Sequence, residues 1–181
     1  MWYNFPVAMS NETLLAAFFL RALLFLPAVI PAVEVTRQVL AKEEALEYAR
    51  GLAQGKGIIN LGAGPHRTFQ AQVIAETPEV MANIDIVPNG MPHFLQFDIE
   101  RQPLPFNDKH FGCAFASHVL EHLNNWQFAL DEMVRVADFV VVVLPHPAFF
   151  SGYITPEHRQ HFTTDDIQEI SSAYPSVAIF Y

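Results

Sequence analysis

From residue 57 onward, short apolar runs recur along the chain, separated by stretches whose apolar residues fall at helical spacing. GIINL (57–61), MANIDIV (81–87), HFLQF (93–97), FGCAFA (111–116), DFVVVVL (138–144) and SVAIFY (176–181) read as strands. Residues 34–54 predict a helix with Ala45, Leu46, Ala49 and Leu52 on its apolar face and charged residues between them. NNWQFALDEMVRVA predicts another, lined by Trp126, Ala129, Leu130, Met133 and Val134, with Asn124 or Asn125 as its N-cap. A further helix opens at Thr163, where Asp166 stands in capping-box position.

Apolar strands alternating with helices imply an α/β fold: a Rossmann-like, doubly wound, mostly parallel sheet with helices on both faces. The 181 residues suffice for one domain, read here as 41–181. Residues 1–40 form an N-terminal apolar segment centred on TLLAAFFLRALLFLPAVIPAV (13–33), read as an apolar helix. Its length suits a membrane span. About a dozen large apolar residues at roughly −0.5 kcal/mol each give about −6 kcal/mol, against roughly +3 for the central Arg21. Pro27 and Pro31 subtract further. Three readings are open: a membrane-associated helix, an apolar cover for the domain, and an oligomer contact. Arg37, Lys42 and Arg50 follow the segment and no Lys or Arg precedes Arg21. If it spans, the positive-inside bias puts the larger domain in the cytoplasm. The missing basic n-region argues against a cleaved signal peptide.

Charge narrows the partners. A net charge of −9 without a basic block excludes a protein built to grip a phosphate backbone, so no nucleic acid is expected. The single cysteine, Cys113, lies in an apolar run and reads as a buried, inert thiol. No internal disulfide can form, which fits a cytoplasmic location.

In parallel sheets ligands bind beyond the carboxyl ends of the strands, so the residues ending each strand carry the chemistry. The first strand ends in Gly62-Ala63-Gly64, a turn that lets backbone approach a ligand and that equally serves as a structural turn. Asp85 ends the second, 23 residues beyond Gly62, where a carboxylate can accept from ribose hydroxyls or simply be solvated. Asp98 and Ile99 follow the third strand, Ser117 and His118 the fourth. His118-Val-Leu-Glu121-His122 matches the H-x-x-E-H string of inverted zinc peptidases. That chemistry needs both histidines on one helix, whereas His118 follows a strand directly and sits in a turn, with Glu121 and His122 starting the next helix, so no metal is expected from the string. His93, His110, His146, His158 and His161 read by default as surface or hydrogen-bonded structural residues.

The order INLGAGPHR, NIDIVP, FDIERQPLPFNDKHFGCAFASHVLEHL and DEMVRV resembles the class I S-adenosylmethionine-dependent methyltransferases of type 11. The resemblance runs from about residue 41 to 181 and is most specific between Asp98 and Leu123; EHRQHFTTDDI (157–167) also resembles a segment found after the fifth strand. It implies S-adenosylmethionine as cofactor. Gly62, Ala63 and Gly64 would pass under its methionine and ribose. Asp85 would hold the ribose hydroxyls, with Ile86 beside the adenine. Asp98 and the Ile99 amide would meet the adenine edge, and Ser117 and His118 would close the pocket near the sulfonium.

This sequence departs from the family at several points. Asn60 stands where an acidic residue is common, and His66 where a third glycine is. Arg135-Val-Ala-Asp138 replaces a Gly-rich turn before the fifth strand. The chain stops at Tyr181, without the antiparallel seventh strand, which leaves an open edge; two readings are open, a homodimer formed through that edge and a truncated chain. The implied reaction is methyl transfer to a small-molecule or lipid-like acceptor. The apolar stretch HPAFFSGYIT (146–155) and the membrane contact through 13–33 favour the lipid-like one. His118, His146, His158 and His161 are candidates for a base by location, and none is assigned as catalytic. Alternatives are a cofactor-binding relative without turnover, a membrane-associated scaffold, and a zinc peptidase.

Overall fold

A computed structural model of the chain describes residues 33–64, 69–88, 90–148 and 155–181. The apolar stretch through residue 32, His66, and most of HPAFFSGYIT lie outside the described residues. The chain divides into two units, 1–37 and 38–181. Of the first, only residues 33–37 are described, and they are helical. Among the described residues no helix is long and apolar enough to cross a membrane.

Helix α1 (33–53) precedes β1 (Ile58–Leu61), α2 (Phe69–Ala75), β2 (Val80–Asp85), β3 (Phe94–Gln96) and β4 (Phe111–Ser117). A 3₁₀ turn (Leu120–His122) leads to α3 (Trp126–Val136), β5 (Ala137–Val143), α4 (Thr164–Ala173) and β6 (Val177–Phe180). The six strands form one sheet in the order β3-β2-β1-β4-β5-β6 with every pairing parallel, a Rossmann-like α/β architecture. The outer edge of β6 pairs with no strand among the described residues.

The period of two along each strand divides the core into two layers. Ile59, Leu61, Ala114, Ala116, Val140 and Val142 pack against Leu130, Met133 and Val136 of α3 and Ile167 and Ile170 of α4. Their alternates Ile58, Cys113, Phe115, Val141 and Val143 face Ala45, Leu46, Ala49 and Ala53 of α1. β1, β4 and β5 are therefore largely apolar on both faces. α1 closes in further at Gly112, where a Cβ would run into the backbone of Ala53.

The missing Gly-rich turn before the fifth strand has a structural counterpart. α3 ends at Val136 and β5 starts at Ala137. The Lys109 ammonium donates to the carbonyls of Val134 and Ala137, and the Lys109 amide to Arg135. A lysine thus satisfies helix-end carbonyls that a glycine turn would otherwise meet.

Two local readings differ from expectation. Asn125 occupies the N-cap of α3, but its side chain makes no capping bond. Glu100 Oε1 instead accepts from the amides of Asn124 (2.6 Å) and Asn125 (3.0 Å). And Glu121 and His122 lie in a 3₁₀ turn set apart from α3 rather than in the following helix. The capping box of Thr163 and Asp166 forms as the spacing predicts.

Candidate functional site

At the carboxyl ends of β1, β2 and β4 the sheet reverses direction of winding, and a cavity of about 370 Å³ opens there. That volume falls in the range of small-molecule sites. Seven of the nine residues singled out from the sequence line it: Gly62, Gly64, Asp85, Ile86, Asp98, Ile99 and His118. Ala63 and Ser117 do not. Ala63 turns into a small cluster with Ala75 and Met91. The Ser117 hydroxyl is buried without a hydrogen-bond partner.

The turn after β1 is shaped by sterics. Gly62 has φ +63°, and a Cβ there would collide with the Val119 side chain. The position accepts only glycine on both counts. Gly64, also at positive φ, donates its amide to Asp85 Oδ2 at 2.8 Å, while Asp85 Oδ1 accepts from the Val87 amide at 2.8 Å. Each Asp85 oxygen keeps a further lone pair. Beside it Ile86 is 58% exposed, a large apolar side chain left open next to the cavity. Asp98 Oδ1 accepts from the Glu100 amide at 3.0 Å.

Across the β1–β2 ladder a buried pair explains Asn60. Its amide donates to Asn83 Oδ1 (2.8 Å), and Asn83 in turn donates to the carbonyls of Ala75 and Pro92. An ionised carboxylate at residue 60 would face that acceptor oxygen with nothing to donate.

The far wall follows β4. His118 has φ +54°, a left-handed conformation that costs a non-glycine residue about 1–2 kcal/mol. Its amide donates to the Val143 carbonyl and its Nδ1 lies 3.0 Å from Glu121 Oε1. Glu121 is fully buried. His118 Nε2 and Glu121 Oε2 are both buried without hydrogen-bond partners. Lys42 on α1 feels the Glu121 charge, but burial prevails and holds its ammonium below the usual lysine range.

Sequence reasoning missed Ile84, Phe97, Glu100, Val119, His122 and Leu123, which also line the cavity. Phe97 and Glu100 flank Asp98 and Ile99, so the loop itself was the signal. Burial works against the Glu100 charge, yet the amides of Asn125 and Asn124 outweigh it and keep its carboxyl below the ordinary range.

Among known proteins, a family model described as a methyltransferase domain matches residues 60–138, from β1 into the start of β5. No curated protein and no solved structure matches.

Proposed function

From the premise that residues 60–138 are a class I methyltransferase domain of type 11, we propose that this chain binds S-adenosylmethionine in the cavity and transfers its methyl group to a small or lipid-like acceptor. Domains of this family belong in general to S-adenosylmethionine-dependent methyltransferases. The observation that carries the reading is convergence: the Gly62–Gly64 turn, Asp85 and Asp98 come from separate strand ends and meet around one cavity at the sheet's switch point.

The residues present fit such a cofactor. Gly62 keeps the floor free of side chains, and the spare lone pairs of Asp85 suit a pair of ribose hydroxyls. Ile86 and Phe97 offer apolar surface for a base, and Asp98 with the Ile99 amide offers an acceptor and a donor for its edge. The bound cofactor supplies an already activated methyl group, so the protein's work is to position and to exclude water. Val119 and Leu123 line the His118 wall with apolar surface. His118 Nε2, without a partner, is available to receive a proton from an acceptor that must lose one. The apolar stretches 13–33 and 146–155 favour a lipid-like acceptor.

The test offers methyl-labelled cofactor with lipid vesicles and with soluble acceptors side by side. Label in the lipid fraction is the expected result. Label only in soluble acceptors overturns the lipid-like part. Label in neither, with cofactor bound, leaves a binding protein without turnover.

A further inference from the structure

On the His118 wall the chain gathers three metal-ligating side chains that the methyl-transfer reading does not use. Glu121, His122 and His158 each offer a ligand atom, all within 4.8 Å of one another. Proximity alone would mean little, but three independent features add to it.

The first is Glu121. Its Oε1 is held by His118, while its Oε2 is buried without a hydrogen-bond partner. Lys42 feels the Glu121 charge, and Glu121 Oε2 accepts no hydrogen bond from it. A buried carboxylate oxygen left in this state is costly unless a cation, a hydrogen-bond donor or a bound water reaches it. The second is His122, whose Nδ1 lies 3.0 Å from the Glu157 carbonyl. Donation there fixes the tautomer and leaves Nε2 as a lone-pair donor, the usual arrangement behind a metal-bound imidazole. The third is the backbone. The Arg159 and Gln160 amides both donate to the Glu121 carbonyl, at 2.7 and 3.0 Å. Arg159 Nη1 reaches Asn124 Oδ1, and Gln160 Nε2 reaches the Leu123 carbonyl. Two segments far apart in sequence are thus laced together, which sets the His158 ring against His122 with centroids 4.8 Å apart.

We infer that Glu121, His122 and His158 bind a divalent first-row transition cation, Zn²⁺ foremost. Two imidazoles and one carboxylate are a donor set zinc uses where it keeps an open position. Imidazole donors disfavour Mg²⁺ and Ca²⁺. With bonds of about 2.0–2.2 Å, tetrahedral ligand atoms stand about 3.4 Å apart, so the side chains close in by about an ångström on binding. His118 then acts as the donor that orients the ligating carboxylate. The peptidase-like string contributes only its last two residues, and the third ligand comes from beyond β5. Since His122 lines the cavity, the open position would hold an oxygen or nitrogen of the methyl acceptor; that role rests on the proposed function, whereas ion binding does not.

The test is calorimetric titration of the metal-stripped full chain with Zn²⁺, with Co²⁺ absorption as a second readout. A single equivalent should bind. His122→Ala and His158→Ala should each weaken binding by more than about tenfold, while His110→Ala, at the opposite end of β4, should not. Circular dichroism checks that each variant is folded, and exposed or half-buried histidines are chosen for that reason rather than the buried Glu121. No binding, or binding that survives loss of both His122 and His158, overturns the inference. A parallel S-adenosylmethionine titration of zinc-free protein separates the two proposals: cofactor binding without zinc binding defeats only this one, and the reverse defeats only the proposed function.

Discussion

The two ends of β4 handle polar atoms in opposite ways. At its start, Arg135 donates to the carbonyls of Leu104 and Phe106, to Asp108, and through two nitrogens to Glu132. Glu132 also accepts from the Leu104 amide, and Lys109 closes the end of α3. Donors and acceptors there meet one another. At the other end, Ser117 Oγ, His118 Nε2 and Glu121 Oε2 are buried with no hydrogen-bond partner, and His118 holds a left-handed backbone. The closed network holds the fold together. The open one leaves three buried polar atoms for water or a ligand to satisfy.

The sharpest break of this contrast is Arg135→Ala. It strips the buried Glu132 of its cation and frees two loop carbonyls. Urea unfolding should show a loss of about 2–4 kcal/mol, with cofactor affinity in the folded protein unchanged. A comparable effect on cofactor affinity would erase the distinction between the two ends. At the open end the expected pattern reverses. Gly62→Val meets the Val119 side chain at a backbone angle that suits glycine, and should abolish measurable cofactor binding by calorimetry.

Beneath the site, Asn60→Ala should cost about 1–2 kcal/mol in chemical denaturation, since it leaves Asn83 Oδ1 buried and unpaired. A cycle with Asn83→Ala should show coupling of about 1 kcal/mol.

How far the sequence reveals this contrast differs between the ends. All six strands are legible from their apolar runs to within a residue or two; burial on both faces makes the runs of β4 and β5 near-continuous, while β3 and β6 are only partly buried. The Gly62 turn, Asp85 and Asp98 are legible because they end strands. His122 with His158 is not, since only the lacing after β5 brings them together. The same holds for Asn125, whose capping role passes to Glu100 from another loop. The H-x-x-E-H string needs a helix that the strand before His118 already rules out in the sequence, and the left-handed turn at His118 agrees with that reading.

A smaller effect concerns pH. The Arg135 hydrogen bond is the main force holding the Glu132 carboxyl below its usual range, and the Asn125 and Asn124 amides do the same for Glu100 against burial. Folded values below the unfolded ones mean that this stability is fully present at neutral pH. It is lost as pH falls below about 4.5 and through the depressed folded values. The urea midpoint should fall over that window, and less steeply in Arg135→Ala. The smallest effect is at Cys113, whose thiol burial pushes up to about 12; it should resist thiol reagents at pH 8 until the protein unfolds.

The measurement closest to the centre of this account is calorimetric titration of the zinc-free protein with S-adenosylmethionine and with its demethylated product, beside Asp85→Ala. The parent chain should bind both ligands at micromolar concentration, and a folded Asp85→Ala protein should lose that binding. A folded parent chain that binds neither ligand, or an Asp85→Ala variant that binds them undiminished, would contradict it.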